Sequence, residues 1–192
     1  IAVKFTPLNM RHQAEQLLEQ AGHPGNLKVT DFLVIKLLVT IVLPVLTYFM
    51  MVGSNPAAVL LPVAVAFILA MILPDFVLKR QVKARQQRIS NALADTLDLL
   101  TVSVEAGLGF DQAILKLVEK TKGPLAEEFK RVLNEIRIGK IRRDALREMA
   151  NRTGVEDLHT FVGAIIQADQ LGVSIGNVLR IQSQQLRQKR RF

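Results

Sequence analysis

"FLVIKLLVTIVLPVLTYFMMV", residues 32–52, and "AAVLLPVAVAFILAMIL", residues 57–73, are separated only by "GSNP". The first run has one charge, Lys36, in 21 residues, enough to cross a hydrocarbon core of about 30 Å as a helix. The second has 17 residues and no side chain that hydrogen-bonds, near the lower limit for a span. Four small, turn-forming residues between two such runs spell the tip of a transmembrane helical hairpin. Lys36 stands near the start of its span, where its stem is expected to snorkel to the headgroups. Pro44 and Pro62 are expected to kink the two helices. A cleaved signal peptide and a buried soluble hairpin are the competing readings. The first fits poorly because the runs begin after residue 31 and exceed the length of a signal core.

Charge orients the hairpin. "LKRQVKARQQR" follows the second run and supplies Lys79, Arg80, Lys83, Arg85 and Arg88 without an acid, while the connecting loop is uncharged. The excess of Lys and Arg places both hairpin ends in the cytoplasm. The net charge of +8 lies in that run and in a second one, Arg180, Arg187, Lys189, Arg190 and Arg191. The stretch between them, residues 89–179, is slightly acidic. Basic runs flanking a near-neutral domain suit anionic membrane lipid at about 1 kcal/mol per residue. A nucleic-acid face would instead need a basic patch on the domain with exposed aromatics, and there is no Trp and one Tyr, inside a span. The absence of Cys excludes disulfides, Cys-ligated zinc and thiol catalysis.

From residue 89 apolar residues recur at helical spacing. Ile89, Leu93, Leu97, Leu100 and Val104 mark one stripe, Phe110, Ile114, Leu117 and Val118 a second, and Leu125, Phe129, Val132, Leu133 and Ile136 a third. Ile141, Ala145, Leu146 and Met149 mark a fourth, Val155, Leu158, Phe161, Val162, Ile165 and Ile166 a fifth, and Ile175, Val178, Leu179 and Leu186 a sixth. The pattern predicts an all-α, six-helix bundle built of three helical hairpins. Gly107, Gly139 and Gly172 recur about every 33 residues, each closing one helix shortly before the next begins, as a C-capping glycine does. Gly109 and Ser174, two residues beyond their glycines, are placed as N-caps. Breaks between hairpins are expected at "TKGP" (121–124) and "NRTGVED" (151–157). The domains are then a short amphipathic lead-in at 1–31, the membrane hairpin at 32–74, a basic juxtamembrane segment at 75–88 and the helical domain at 89–192.

No constellation reads as catalytic. His12, His23 and His159 are scattered, Asp95 and Asp98 share a helix face some twenty residues beyond the second run, and no phosphate-binding loop is present. No cofactor or metal site is expected. Glu105 and Asp169 each precede a corner glycine, where the helix dipole disfavours an anion by about 0.3–1 kcal/mol. They are open to three readings: solvated or paired with nearby Lys or Arg, paired with a partner's arginine, or part of a cation site. Arg137, Lys140, Arg142 and Arg143 gather around Gly139 and are the densest basic cluster of the domain. That cluster is either a solvated loop tip or a docking site for an acidic partner.

The order of "QAGHPGN", a membrane hairpin, "LPDFVLKRQVKARQQRISNALADTLDLLTVSVEAGLGFDQAI" and "ANRTGVEDLHTFVGAIIQADQLGVSIGNVLRIQSQQLRQKRR" resembles the type II secretion system F domain family. It looks most like the TadC branch of tight-adherence pilus platform proteins, over essentially the whole chain. The resemblance implies a non-enzymatic, multi-pass platform subunit of the bacterial inner membrane, with its helical domain in the cytoplasm. It also implies a secretion or pilus ATPase, a paralogous platform protein and pilin subunits as partners, in a homo- or hetero-oligomer. Related chains usually continue past "LRQKRR" into another membrane hairpin, so this chain is expected to be a piece of a longer one. A membrane-tethered adaptor or sensor unrelated to pili is the alternative reading.

Overall fold

A computed structural model describes residues 17, 19–22, 29–51 and 56–191. Among these, helices are the only regular structure: α1 Val29–Met50, α2 Pro56–Glu105, α3 Phe110–Lys120, α4 Pro124–Arg137, α5 Arg142–Thr153, α6 Glu156–Leu171 and α7 Ile175–Arg191. The chain divides into two compact units, Ile1–Ala84 and Arg85–Phe192.

In the first unit, α1 and the start of α2 run antiparallel. Phe32 is buried against Leu78, and Lys36 Nζ donates to Asp75 Oδ1 at 2.8 Å and Oδ2 at 2.7 Å. The Lys36 side chain is 15% exposed and held by the neighbouring helix. Apolar side chains dominate the outside, with Leu38, Ile41, Phe49, Leu60 and Ile72 all more than half exposed. Two helices, over Thr30–Met50 and within Val59–Glu105, are long and apolar enough to cross a membrane. Pro44 and Pro62 lie inside continuous helices. Of the expected lead-in helix, residues 17 and 19–21 are helical, and Leu17 and Ala21 pack on Phe32 and Leu78. The rest of that helix and most of the "GSNP" tip lie outside the described residues.

The juxtamembrane segment expected at 75–88 is not a separate piece. No residue after Pro74 stops a helix until Gly107, and "KRQVKARQQR" is made of good helix formers, so α2 continues for 50 residues. The second unit begins at Arg85, four residues before the expected boundary. Its core is the set of stripes read from the sequence: Ile89, Leu93, Leu97 and Leu100 of α2, Ile114 of α3, Phe129 of α4, Leu146 and Met149 of α5, and Leu158 and Phe161 of α6 are all nearly inaccessible. From α3 to α7 each helix packs on the next in the chain. Ile141, assigned to a core stripe, is instead 61% exposed, because α5 begins at Arg142 and leaves it in the preceding turn.

Three charged residues are buried with this core. Arg85 is 8% exposed, Glu128 6% and Arg152 7%. Arg85 Nη2 donates to Glu128 Oε1 at 3.2 Å and Arg152 Nε to Glu128 Oε2 at 3.1 Å, so one carboxylate holds two guanidinium groups from different helices. Arg152 Nη1 also donates to Glu135 Oε1 at 3.2 Å. Arg85 Nη1 and Arg152 Nη2 find no partner in the protein. Arg85 was grouped with the membrane-surface residues. That assignment is corrected: it is a buried strut from α2 to α4, while Lys79, Arg80, Lys83 and Arg88 are exposed.

Gly107 closes α2 at φ +92°, and the Leu108 N–H donates to Ser103 O at 3.1 Å, the six-to-one bond of a Schellman turn. A Cβ at Gly107 would meet no atom within 4 Å, so a substitution there is penalised through the backbone alone. Gly172, at φ +67° and ψ +19°, is in the left-handed helical region that asparagine also visits. Gly107→Val is expected to destabilise the chain by about 1–2 kcal/mol, and Gly172→Asn by a fraction of that. Thermal unfolding of the full chain in detergent, followed by helical circular dichroism, checks both; equal effects would mean that the difference in φ does not matter.

Candidate docking site

The alternating helices sort the turns of the second unit to its two ends. One end, here the root, contains the start of the unit: Gln86 Nε2 donates to Thr153 O at 3.1 Å and to Gly154 O at 3.3 Å, placing the α5–α6 turn beside the beginning of the unit. The α3–α4 turn is at the same end. The opposite end, the tip, gathers the turns at 106–109, 138–141 and 172–174. Arg142 joins all three: from the first position of α5, its Nη1 donates to Asp111 Oδ1 at 3.4 Å and its Nη2 to Asp169 Oδ1 at 3.3 Å. These pairs are a third to a half exposed, so each contributes at most about 1 kcal/mol.

The expected basic cluster is therefore largely internally neutralised. Lys140 donates to Glu135 Oε2 at 3.1 Å and to Glu148. The hydrogen bond to Glu148, with the charge of Glu135 behind it, holds the Lys140 ammonium above its ordinary range, and the same bond holds the Glu148 carboxyl below its own. Arg143 Nε donates to Asp144 Oδ1 at 3.3 Å. Arg137, at the end of α4, is exposed. Asp169 takes its cation from its own chain through Arg142, which is the first of its three readings. Glu105 is exposed at the end of α2, and no group of three or more acidic or histidine residues able to hold a metal occurs among the described residues.

An ion pair and a hydrogen bond join α7 to α2. The Ser183 hydroxyl and the Arg187 guanidinium both donate to Asp98. Burial pushes the Asp98 carboxyl up, but these two donors outweigh it and leave the group below the ordinary carboxylate range. Arg187, expected at a membrane surface, thus also clasps the helical unit. The side chains of Lys189, Arg190 and Arg191 are outside the described set.

Gly109 precedes α3 with extended backbone (φ −62°, ψ +153°), and no side chain caps that helix. Ser174 O accepts from Asn177 N at 3.2 Å as α7 begins. Gly139, at φ +97°, closes α4 as Gly107 closes α2, with Lys140 N donating to Glu135 O at 3.0 Å. Val173 N repeats the bond to Ala168 O at 3.0 Å. Positive φ also occurs at Gly123 and Gly154 in the root turns, which the sequence reading did not single out.

Two helices long and apolar enough to cross a membrane, the second continuous with an all-helical unit, define the class of the fold. Residues 96–192 match the family of the type II secretion system (T2SS), protein F, and the chain belongs to that family. Its members are non-catalytic, inner-membrane platform proteins of secretion and pilus machines that engage a secretion ATPase and partner proteins. No curated protein and no solved structure matches the chain.

Proposed function

We propose that this chain is a TadC-like platform subunit of a tight-adherence pilus, coupling a cytoplasmic ATPase to pilin assembly beside a paralogous platform protein. In this reading, α1 and the first part of α2 cross the inner membrane, and the second unit is a cytoplasmic six-helix bundle of three hairpins. The basic residues Lys79, Arg80, Lys83 and Arg88 lie against anionic lipid. The observation that supports it most is the family match across 96–192, on a helical unit whose first helix is continuous with a membrane-length segment. The uncharged "GSNP" loop against the basic run supports the orientation.

Deleting the gene is expected to abolish surface pili while the ATPase remains at its normal level; normal piliation would refute the reading. Topology is tested separately with single cysteines at Asn55 and at Thr160, which is exposed on α6. An impermeant thiol reagent on intact cells is expected to label position 55 and spare 160. The reverse pattern would invert the orientation without touching the family assignment.

A further inference from the structure

The two ends of the helical unit differ in what their turns leave in water. At the root, the turns are "TKG" and "GV", and Val155 is 6% exposed. At the tip they are "AGLG", "IGKI" and "GVS", bordered by Leu171, and the aliphatic residues face outward: Leu108 is 40% exposed, Ile138 85%, Ile141 61%, Leu171 76% and Val173 47%. Among the described residues, the other large apolar ones exposed in this unit are Leu99, Val102 and Ile181, and Val102 stands on α2 just before the first tip turn. Positions this open gain almost nothing for the fold from an apolar side chain, and a contiguous exposed apolar patch marks an interaction surface.

The charges around the patch say what covers it. Arg142 is shared between Asp111 and Asp169, Lys140 between Glu135 and Glu148, and Arg143 pairs with Asp144. Arg137 and Glu105 are also exposed at this end but carry opposite charges, so neither sign is in large excess there and the complement is uncharged and aliphatic. Anionic lipid would require an excess of positive charge, and the unit's acid-free basic run, Arg180 to Arg191, leads along α7 away from the tip. We infer that the three glycine turns of the tip form an aliphatic docking surface for an uncharged apolar face of the cytoplasmic motor. Identifying that occupant as the motor rests on the platform reading above. Arginine forks are then not the adhesive element: Arg142 holds the three turns in register, and the aliphatic side chains make the contact.

The test measures binding of purified ATPase to the full chain in lipid nanodiscs, at about 0.05 M and about 0.5 M salt. The double variant Ile138→Ser/Leu171→Ser is expected to weaken binding at least about tenfold at both salt concentrations, as loss of central apolar anchors does. Lys122→Ser in a root turn and Arg137→Glu at the tip are expected to stay within about twofold of wild type. Unchanged thermal unfolding shows that the double variant is folded, since both side chains are exposed. Wild-type affinity in the double variant overturns the surface and leaves the platform reading standing. Binding that disappears at high salt, or with Arg137→Glu, overturns it in favour of an electrostatic dock. If the double variant instead separates a dimer of this chain while still binding the motor, the occupant is a second copy and the inference falls. If the wild-type chain binds no ATPase at either salt concentration, both readings fall together.

Discussion

Replacing Glu128 with alanine is expected to destabilise the chain by about 3–5 kcal/mol, because it leaves two buried guanidinium groups without their shared anion. Arg85 and Arg152 are each more than nine-tenths buried and approach opposite oxygens of this one carboxylate. Neither arginine can turn to water without opening the contact between α2 and the α4–α5 pair. Arg152 keeps Glu135, but Arg85 has only Glu127 at 4.0 Å, whose side chain is 73% exposed. The loss therefore falls hardest on the attachment of α2. Taking all three out of water together costs most of what their attraction returns, so the triple variant Arg85→Met/Glu128→Leu/Arg152→Met is expected to recover most of the lost stability. Chemical unfolding of the full chain in detergent, with wild type, single and triple variants side by side, checks the pair of outcomes. A Glu128→Ala penalty below about 1 kcal/mol would mean that the triad is hydrated and not a buried strut.

These three charges were visible in the sequence, though not as a triad. Arg85 lies four residues before Ile89, Glu128 three after Leu125 and four before Val132, and Arg152 three after Met149. Each therefore occupies a core register on its own helix. A charge at a core position must find a partner, and three such positions on three helices of one unit have each other to choose from. What the one-dimensional pattern does not supply is which helices face: Arg85 and Glu128 are 43 residues apart and meet only once α2 packs on α4. The same limit hid Lys36–Asp75, separated by 39 residues, and Arg142 with Asp111 and Asp169. Local signals carried further. The stripes of α2, α3, α4 and α6 became the core nearly residue for residue, because periodicity and burial are the same information in a helix. Gly107, Gly139 and Gly172 stood out through the residues around them, whereas Gly123, hidden before Pro124, was read only as part of a break. The misassignment of Ile141 follows from the same local logic. Four residues before Ala145 it fits the stripe, but the helix begins one residue later, and that shift leaves it on the tip among the exposed aliphatics.

Phe161→Ala is the other large effect expected, also about 3–5 kcal/mol, for the opposite reason: it removes volume from a site that already has no polar demand. Phe161 is fully buried in α6, between Leu158 and Ile165 on the same stripe, within the single cluster that also contains Phe129 of α4 and Met149 of α5. A cavity there touches several helices at once, so the chain cannot relieve it by shifting one of them. Phe161→Leu keeps most of the volume and is expected to cost only about 1–2 kcal/mol, one or two methylenes' worth of transfer energy. Amide exchange distinguishes the site from the triad. Loss at Phe161 should lower protection throughout α3 to α6 together, as a core defect lowers the whole cooperative unit. Glu128→Ala should expose the contact of α2 with α4 and α5 before the rest. If Phe161→Ala instead loosens α6 alone, the helical unit does not unfold as one body, and the tip turns, each joined to a different pair of helices, would move independently of one another.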